Sequence, residues 1–124
     1  MNSKPADERV EIRAAVLEVL ELISSKEKQI EYQKNVSLAQ VPAELFCRWG
    51  DIYLFKDDPA TYKAIFSSSE LNILEEFDAV LGSISEATPN ELPLLTDFIA
   101  TDEWKKLSDA AANALSKLSK LKRH

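Results

Sequence analysis

Only two glycines, Gly50 and Gly82, occur in 124 residues, and no Asn-Gly or Asp-Gly pair appears anywhere. Tight hairpins need residues that accept positive φ at the turn, so a chain this poor in them has almost no means of reversing direction between paired strands. Helices remain. Apolar residues at three- and four-residue spacing support this. Val10, Ala14 and Leu17 form one row of a first helix, with Ile12, Val16, Val19, Leu20 and Ile23 beside it, a stripe broad enough to face a core.

Boundary signals divide the rest. Ser24 and Glu27 have the spacing of a capping box, which predicts a break and a restart as a more polar helix through Ile30, Tyr32 and Val36; a continuous long helix is the alternative. Val41-Pro42 opens a short helix over residues 42–49 that ends at Gly50. Residues 51–57 carry strand-like side chains but have no second strand to pair with, so they read as a connector packed on the core. Asp58-Pro59 predicts a cap and a helix to about Phe66, and Ser67 with Glu70 repeats the capping-box spacing. Leu71, Leu74, Phe77, Leu81 and Ile84 mark the next amphipathic helix. Residues 85–93, with two prolines, form the clearest loop. A single turn over residues 94–99 follows. The last helix starts at a Thr101 or Asp102 cap and presents Trp104, Leu107, Ala111, Leu118 and Leu121, with alanines that let a neighbour approach closely. The expected fold is all-α, an irregular bundle of five or six helices in a single domain over residues 8–122, preceded by a loose N-terminus over residues 1–7.

Charge is distributed unevenly. Residues 44–103 hold thirteen Asp and Glu against three Lys and Arg, while each flank carries six bases, against seven acids before Glu44 and one acid after Glu103. The net charge of −6 therefore reflects a strongly acidic middle. Such a surface repels phosphate, which disfavours nucleic acid and anionic membrane and favours a basic protein or a cation. Lys117, Lys120, Lys122 and Arg123 close the last helix, where positive charge suits the dipole better than it announces a nucleic-acid tail.

Catalytic chemistry has little to work with. The one histidine is the terminal His124, so no Ser-His or Cys-His pair can be built on an ordered scaffold. With a single cysteine, Cys47, the usual zinc ligands are missing, and a glycine-rich phosphate loop is absent. Glu18 with Glu21, and Glu27 with Glu31, share helical faces, but a solvated charged face explains both pairs. No enzyme, cofactor or metal is expected. Cys47, within the apolar run of Leu45, Phe46 and Trp49, reads as a small buried hydrophobe in a reducing compartment. The polar N-terminus and the interruption of the first apolar segment by Glu18 and Glu21 speak against a secretory signal, and a cytoplasmic location is expected.

One stretch mixes aromatic and acidic residues. Trp49, Tyr53, Phe55 and Tyr62 alternate with Asp51, Asp57 and Asp58, and two readings stand for them. In one, the aromatics are core and the acids are their solvated neighbours, as large apolar side chains prefer. In the other, Tyr53 and Tyr62 with Asp51, Asp57 and Asp58 form a partner-binding surface, extended by Glu75, Glu76 and Asp78. The functional expectation is a non-enzymatic domain that binds a basic protein, for instance an inhibitor or immunity protein neutralising a basic toxin or nuclease. In size, charge and helicity the chain is similar to small acidic helical neutralisers from bacterial competition systems. The alternative is an assembly module, a homodimer formed through an apolar helix face (Val16, Leu17, Val19, Leu20, Leu22 and Ile23) or the alanine side of the last helix.

Overall fold

The computed structural model describes residues 4–87 and 94–122, and among them every regular element is a helix. The order is α1 (Lys4–Ser24), α2 (Lys26–Asn35), α3 (Val41–Ile52), α4 (Pro59–Ile65), α5 (Ser68–Ala87), α6 (Leu95–Phe98) and α7 (Asp102–Lys122). Among the described residues seven helices replace the expected five or six, because the break after α1 and the single turn α6 both count. The helix α1 begins at Lys4, inside the stretch expected to be loose. Residues 88–93, most of the proline-bearing loop, lie outside the described residues, as does Arg123.

Three long helices carry the core. α7 packs lengthwise on both α1 and α5, α3 packs on α1, α4 on α1 and α5, and α6 closes over α2 and α3. Each long helix contributes one apolar stripe. Val16, Val19, Leu20 and Ile23 of α1 are buried, as are Leu74, Phe77, Leu81 and Ile84 of α5. From α7, Leu107, Ala111, Ala114 and Leu118 enter the same core. The alanines stand where α7 meets its neighbours, and small side chains there shorten the distance between helix axes.

Side chains set the helix boundaries. Ser25, rather than Ser24, caps α2: its hydroxyl accepts the Lys28 N–H at 3.2 Å. The Ser67–Glu70 box closes in both directions. Ser67 Oγ accepts the Glu70 N–H at 3.1 Å, and the Glu70 carboxylate accepts the Ser67 N–H at 2.9 Å. Asp58 accepts the Thr61 N–H at 3.4 Å ahead of Pro59, and Thr101 accepts the Trp104 N–H at 3.1 Å.

Two expectations fail in α3. Gly50 does not end the helix, which continues to Ile52 with the Tyr53 N–H bonded to the Trp49 carbonyl at 2.9 Å. No glycine among the described residues adopts positive φ. Cys47 is exposed rather than buried. Val41, Leu45 and Trp49 lie four residues apart on the buried face, and Cys47, two positions from both Leu45 and Trp49, falls on the opposite side.

Candidate functional site

The end of α3, the connector over residues 53–58 and α4 bring an aromatic cluster against α5. Trp49 stacks on Tyr53 with ring centroids 4.9 Å apart and meets Phe77 edge-on at 4.7 Å, while Tyr53 meets Tyr62 edge-on at 5.9 Å. All four rings are buried, Tyr53 at 8% exposure and Tyr62 at 3%. The core reading therefore fits Trp49, Tyr53 and Tyr62, whose rings are buried within the chain, while Phe55 is half-buried.

The polar tips of these rings are satisfied by acids at the edge. The Trp49 indole N–H donates to Asp78 Oδ1 at 2.9 Å, and the Tyr53 hydroxyl donates to Glu75 Oε1. The Tyr62 hydroxyl donates to the Ile52 carbonyl at the end of α3. Glu75 and Asp78 are three residues apart on α5, so one helical face meets the aromatic donors Trp49, near the end of α3, and Tyr53, just past it. Burial pushes the Tyr53 hydroxyl well above the ordinary tyrosine range, and the hydrogen bond to Glu75 and the charges of Glu75 and Asp78 push it the same way.

The sequence-predicted residues thus separate into groups. Tyr53, Tyr62, Glu75 and Asp78 come together. Glu76 turns to the other side of α5, where Lys117 of α7 donates to it at 3.1 Å. Asp58 is occupied as the cap of α4. Asp51 and Asp57 are exposed and enter no ion pair among the described residues. Elsewhere in the acidic region, Glu70 is bound by Arg13 and Glu44 accepts the Tyr32 hydroxyl at 3.1 Å. Several of the acids that dominate the sequence are therefore engaged by partners within the chain.

A cleft of about 600 Å³ opens beside Glu75, between α4 and the first turns of α5. Phe55, Phe66 and Leu71 give it an apolar lining, and Lys63, Ser68, Asn72 and Glu75 add polar groups. Of these, the sequence reading singled out only Glu75 as a polar site residue. Lys63 and Asn72 carry no local signal; the neighbouring caps at Asp58 and Ser67 mark where α4 and α5 start, but not the space left between them. Among the described residues no group of three or more His, Cys, Asp or Glu is placed to hold a metal ion, and no helix is long and apolar enough to cross a membrane.

The fold and this edge define an all-helical chain with acidic side chains anchored on a buried aromatic cluster. Comparison with known proteins adds no relative: no family model, curated protein or solved structure matches the chain.

Proposed function

We propose that this chain is a non-enzymatic protein-binding domain whose acidic surface docks on a basic protein. The observation that carries the reading is the anchoring of Glu75 and Asp78. One oxygen of each carboxylate is held by a donor from a buried ring, so both charges sit at the edge of the aromatic cluster with little side-chain freedom left to lose on binding. Asp51 and Asp57, exposed on the same end of α3 and its connector, extend the negative field. Charges arranged this way accelerate encounter with a cationic surface. An inhibitor or immunity protein that covers the cationic cleft of a nuclease toxin is the concrete form this takes.

Less supports the assembly alternative, because most of the helix face it would use is packed inside the chain. Val16, Val19, Leu20 and Ile23 of α1, and Ala111 and Ala114 of α7, are buried within the single chain, and Leu17 and Leu22 pack against that core.

The test is capture of partners on the immobilised chain at low and high salt, alongside an Asp51→Lys/Asp57→Lys variant. Asp58 is left intact because it caps α4. A basic protein held at low salt, released at high salt and lost in the variant supports the reading. Partners indifferent to both changes would refute it.

A further inference from the structure

We propose that the cleft between α4 and α5 binds a small zwitterion with an apolar body, an α-amino acid with an aliphatic or aromatic side chain being the simplest example. This ligand site goes beyond the acidic docking surface, with which it shares Glu75. The volume of about 600 Å³ falls within the range of small-ligand sites, and the combination of an apolar lining with a few polar groups is their usual make-up.

The charges choose the ligand class. Lys63 and Glu75 both line the cleft, yet they form no ion pair with each other, and neither pairs with another charged group among the described residues. Glu75 uses one oxygen for Tyr53 and retains the other. A ligand bringing a carboxylate to Lys63 and an ammonium to Glu75 answers both. A purely cationic ligand meets like charge at Lys63, a purely anionic one meets it at Glu75, and a neutral one leaves both unanswered. Ser68 and Asn72 add a hydroxyl and an amide.

The apolar side is held in place before any ligand arrives. Tyr62 stacks near Phe66 with centroids 6.3 Å apart, and the Arg13 guanidinium lies 5.2 Å from the Phe66 ring centre. Arg13 is itself fixed by two hydrogen bonds to Glu70, at 3.2 and 2.5 Å. A lining fixed in this way reduces the ordering cost of binding.

Titration of the isotope-labelled full chain with L-leucine and L-phenylalanine, followed by two-dimensional amide NMR, tests the site. Saturable shifts at Lys63, Ser68, Leu71 and Asn72 are expected. N-acetyl-leucine and leucinamide, which keep one charge each, should bind about fivefold more weakly, the scale of one solvent-accessible ion pair. Lys63→Gln should abolish the preference for leucine over leucinamide. Glu75→Gln, which keeps an acceptor for Tyr53, should abolish the preference over N-acetyl-leucine. Asn72→Trp, at an exposed position, should fill the cleft and remove the shifts. The proposal is overturned by absence of saturable shifts at these amides, by equal binding of the uncharged N-acetyl-leucinamide, or by tighter binding of an apolar-basic hexapeptide, which would make the cleft a groove for protein chain. The acidic-surface reading is tested separately through Asp51 and Asp57, which do not line the cleft.

Discussion

Trp104 of α7 donates its indole N–H to the side-chain carbonyl of Gln29, 2.9 Å away on α2. The amide nitrogen of Gln29 donates in turn to the carbonyls of Leu22 and Ile23, at 2.9 and 3.0 Å, where α1 ends. Gln29 is fully buried, so one polar side chain satisfies groups from two other helices at the point where α1 breaks. Gln29→Leu fills similar space but strands the Trp104 N–H and removes a donor from both carbonyls. A loss of about 3 kcal/mol is expected from leaving such groups unpaired. Urea denaturation of the variant measures it.

Arg13 and Glu70 join α1 to the start of α5 and give stability a defined acid dependence. The Arg13 guanidinium holds the Glu70 carboxyl below the ordinary glutamate range, overcoming the opposite effect of burial, and the Ser67 N–H acts in the same direction as Arg13. A carboxyl lowered on folding contributes stability that is complete above its unfolded value and disappears as pH falls through the folded one. Between about pH 5 and pH 3 the wild type should therefore lose more stability than Glu70→Gln. Parallel denaturation curves at several pH values read the difference. Equal slopes would remove Glu70 from the acid response.

The caps at Asp58, Ser67 and Thr101 were legible because each rests on a side chain bonding backbone within three residues. The stripes of α1, α5 and α7 were legible because helical periodicity is also local. Other features depend on partners far along the chain. Gln29 looks like an ordinary polar residue of a polar helix until Trp104, seventy-five positions later, supplies its donor. Cys47 shares its apolar run with buried residues, and only the helical phase set by Leu45 and Trp49 turns it outward. The partners of the acidic middle were hidden in a similar way: Glu70, Glu76, Glu75 and Asp78 find Arg13, Lys117, Tyr53 and Trp49 through packing that composition does not encode.

Gly50 and Gly82 lie inside helices without positive φ, and a Cβ at either position would meet nothing within 4 Å. Both carry the entropic cost of glycine without using its freedom. Gly50→Ala and Gly82→Ala should each stabilise the chain by about 0.5–1 kcal/mol. Calorimetry should show Tm rising by roughly 2–5 °C for each, and the double variant tests whether the two gains add.

Tyr53 should give stability an alkaline dependence. A hydroxyl whose value is raised on folding contributes stability that is complete below its unfolded value, near pH 10, and is lost as pH rises towards the folded one. Absorbance titration should show the Tyr53 phenolate appearing only together with loss of the folded state. Tyr53→Phe should flatten the fall in stability above about pH 10, at a cost near 1 kcal/mol at neutral pH for the lost bond to Glu75. A Tyr53 phenolate formed in the intact fold would contradict this.

Asp51, Asp57 and Asp58 look alike in sequence but do different work, and substitution separates them. Asp58 accepts the Thr61 N–H at the start of α4, so Asp58→Ala should cost about 1 kcal/mol whether or not a partner is present. The side chains of Asp51 and Asp57 are exposed and enter no ion pair among the described residues, and Asp51→Lys/Asp57→Lys should change stability by no more than about 0.5 kcal/mol per site. Under the proposed function their effect belongs to association. With a basic partner in hand, the double reversal should lower the association rate more than it raises the dissociation rate, and the loss should shrink as salt is added, because field steering is screened within about 10 Å at 0.1 M ionic strength. Stopped-flow association at several salt concentrations checks both statements. A double variant that binds normally but unfolds more readily would assign these acids to the fold and remove them from the docking surface.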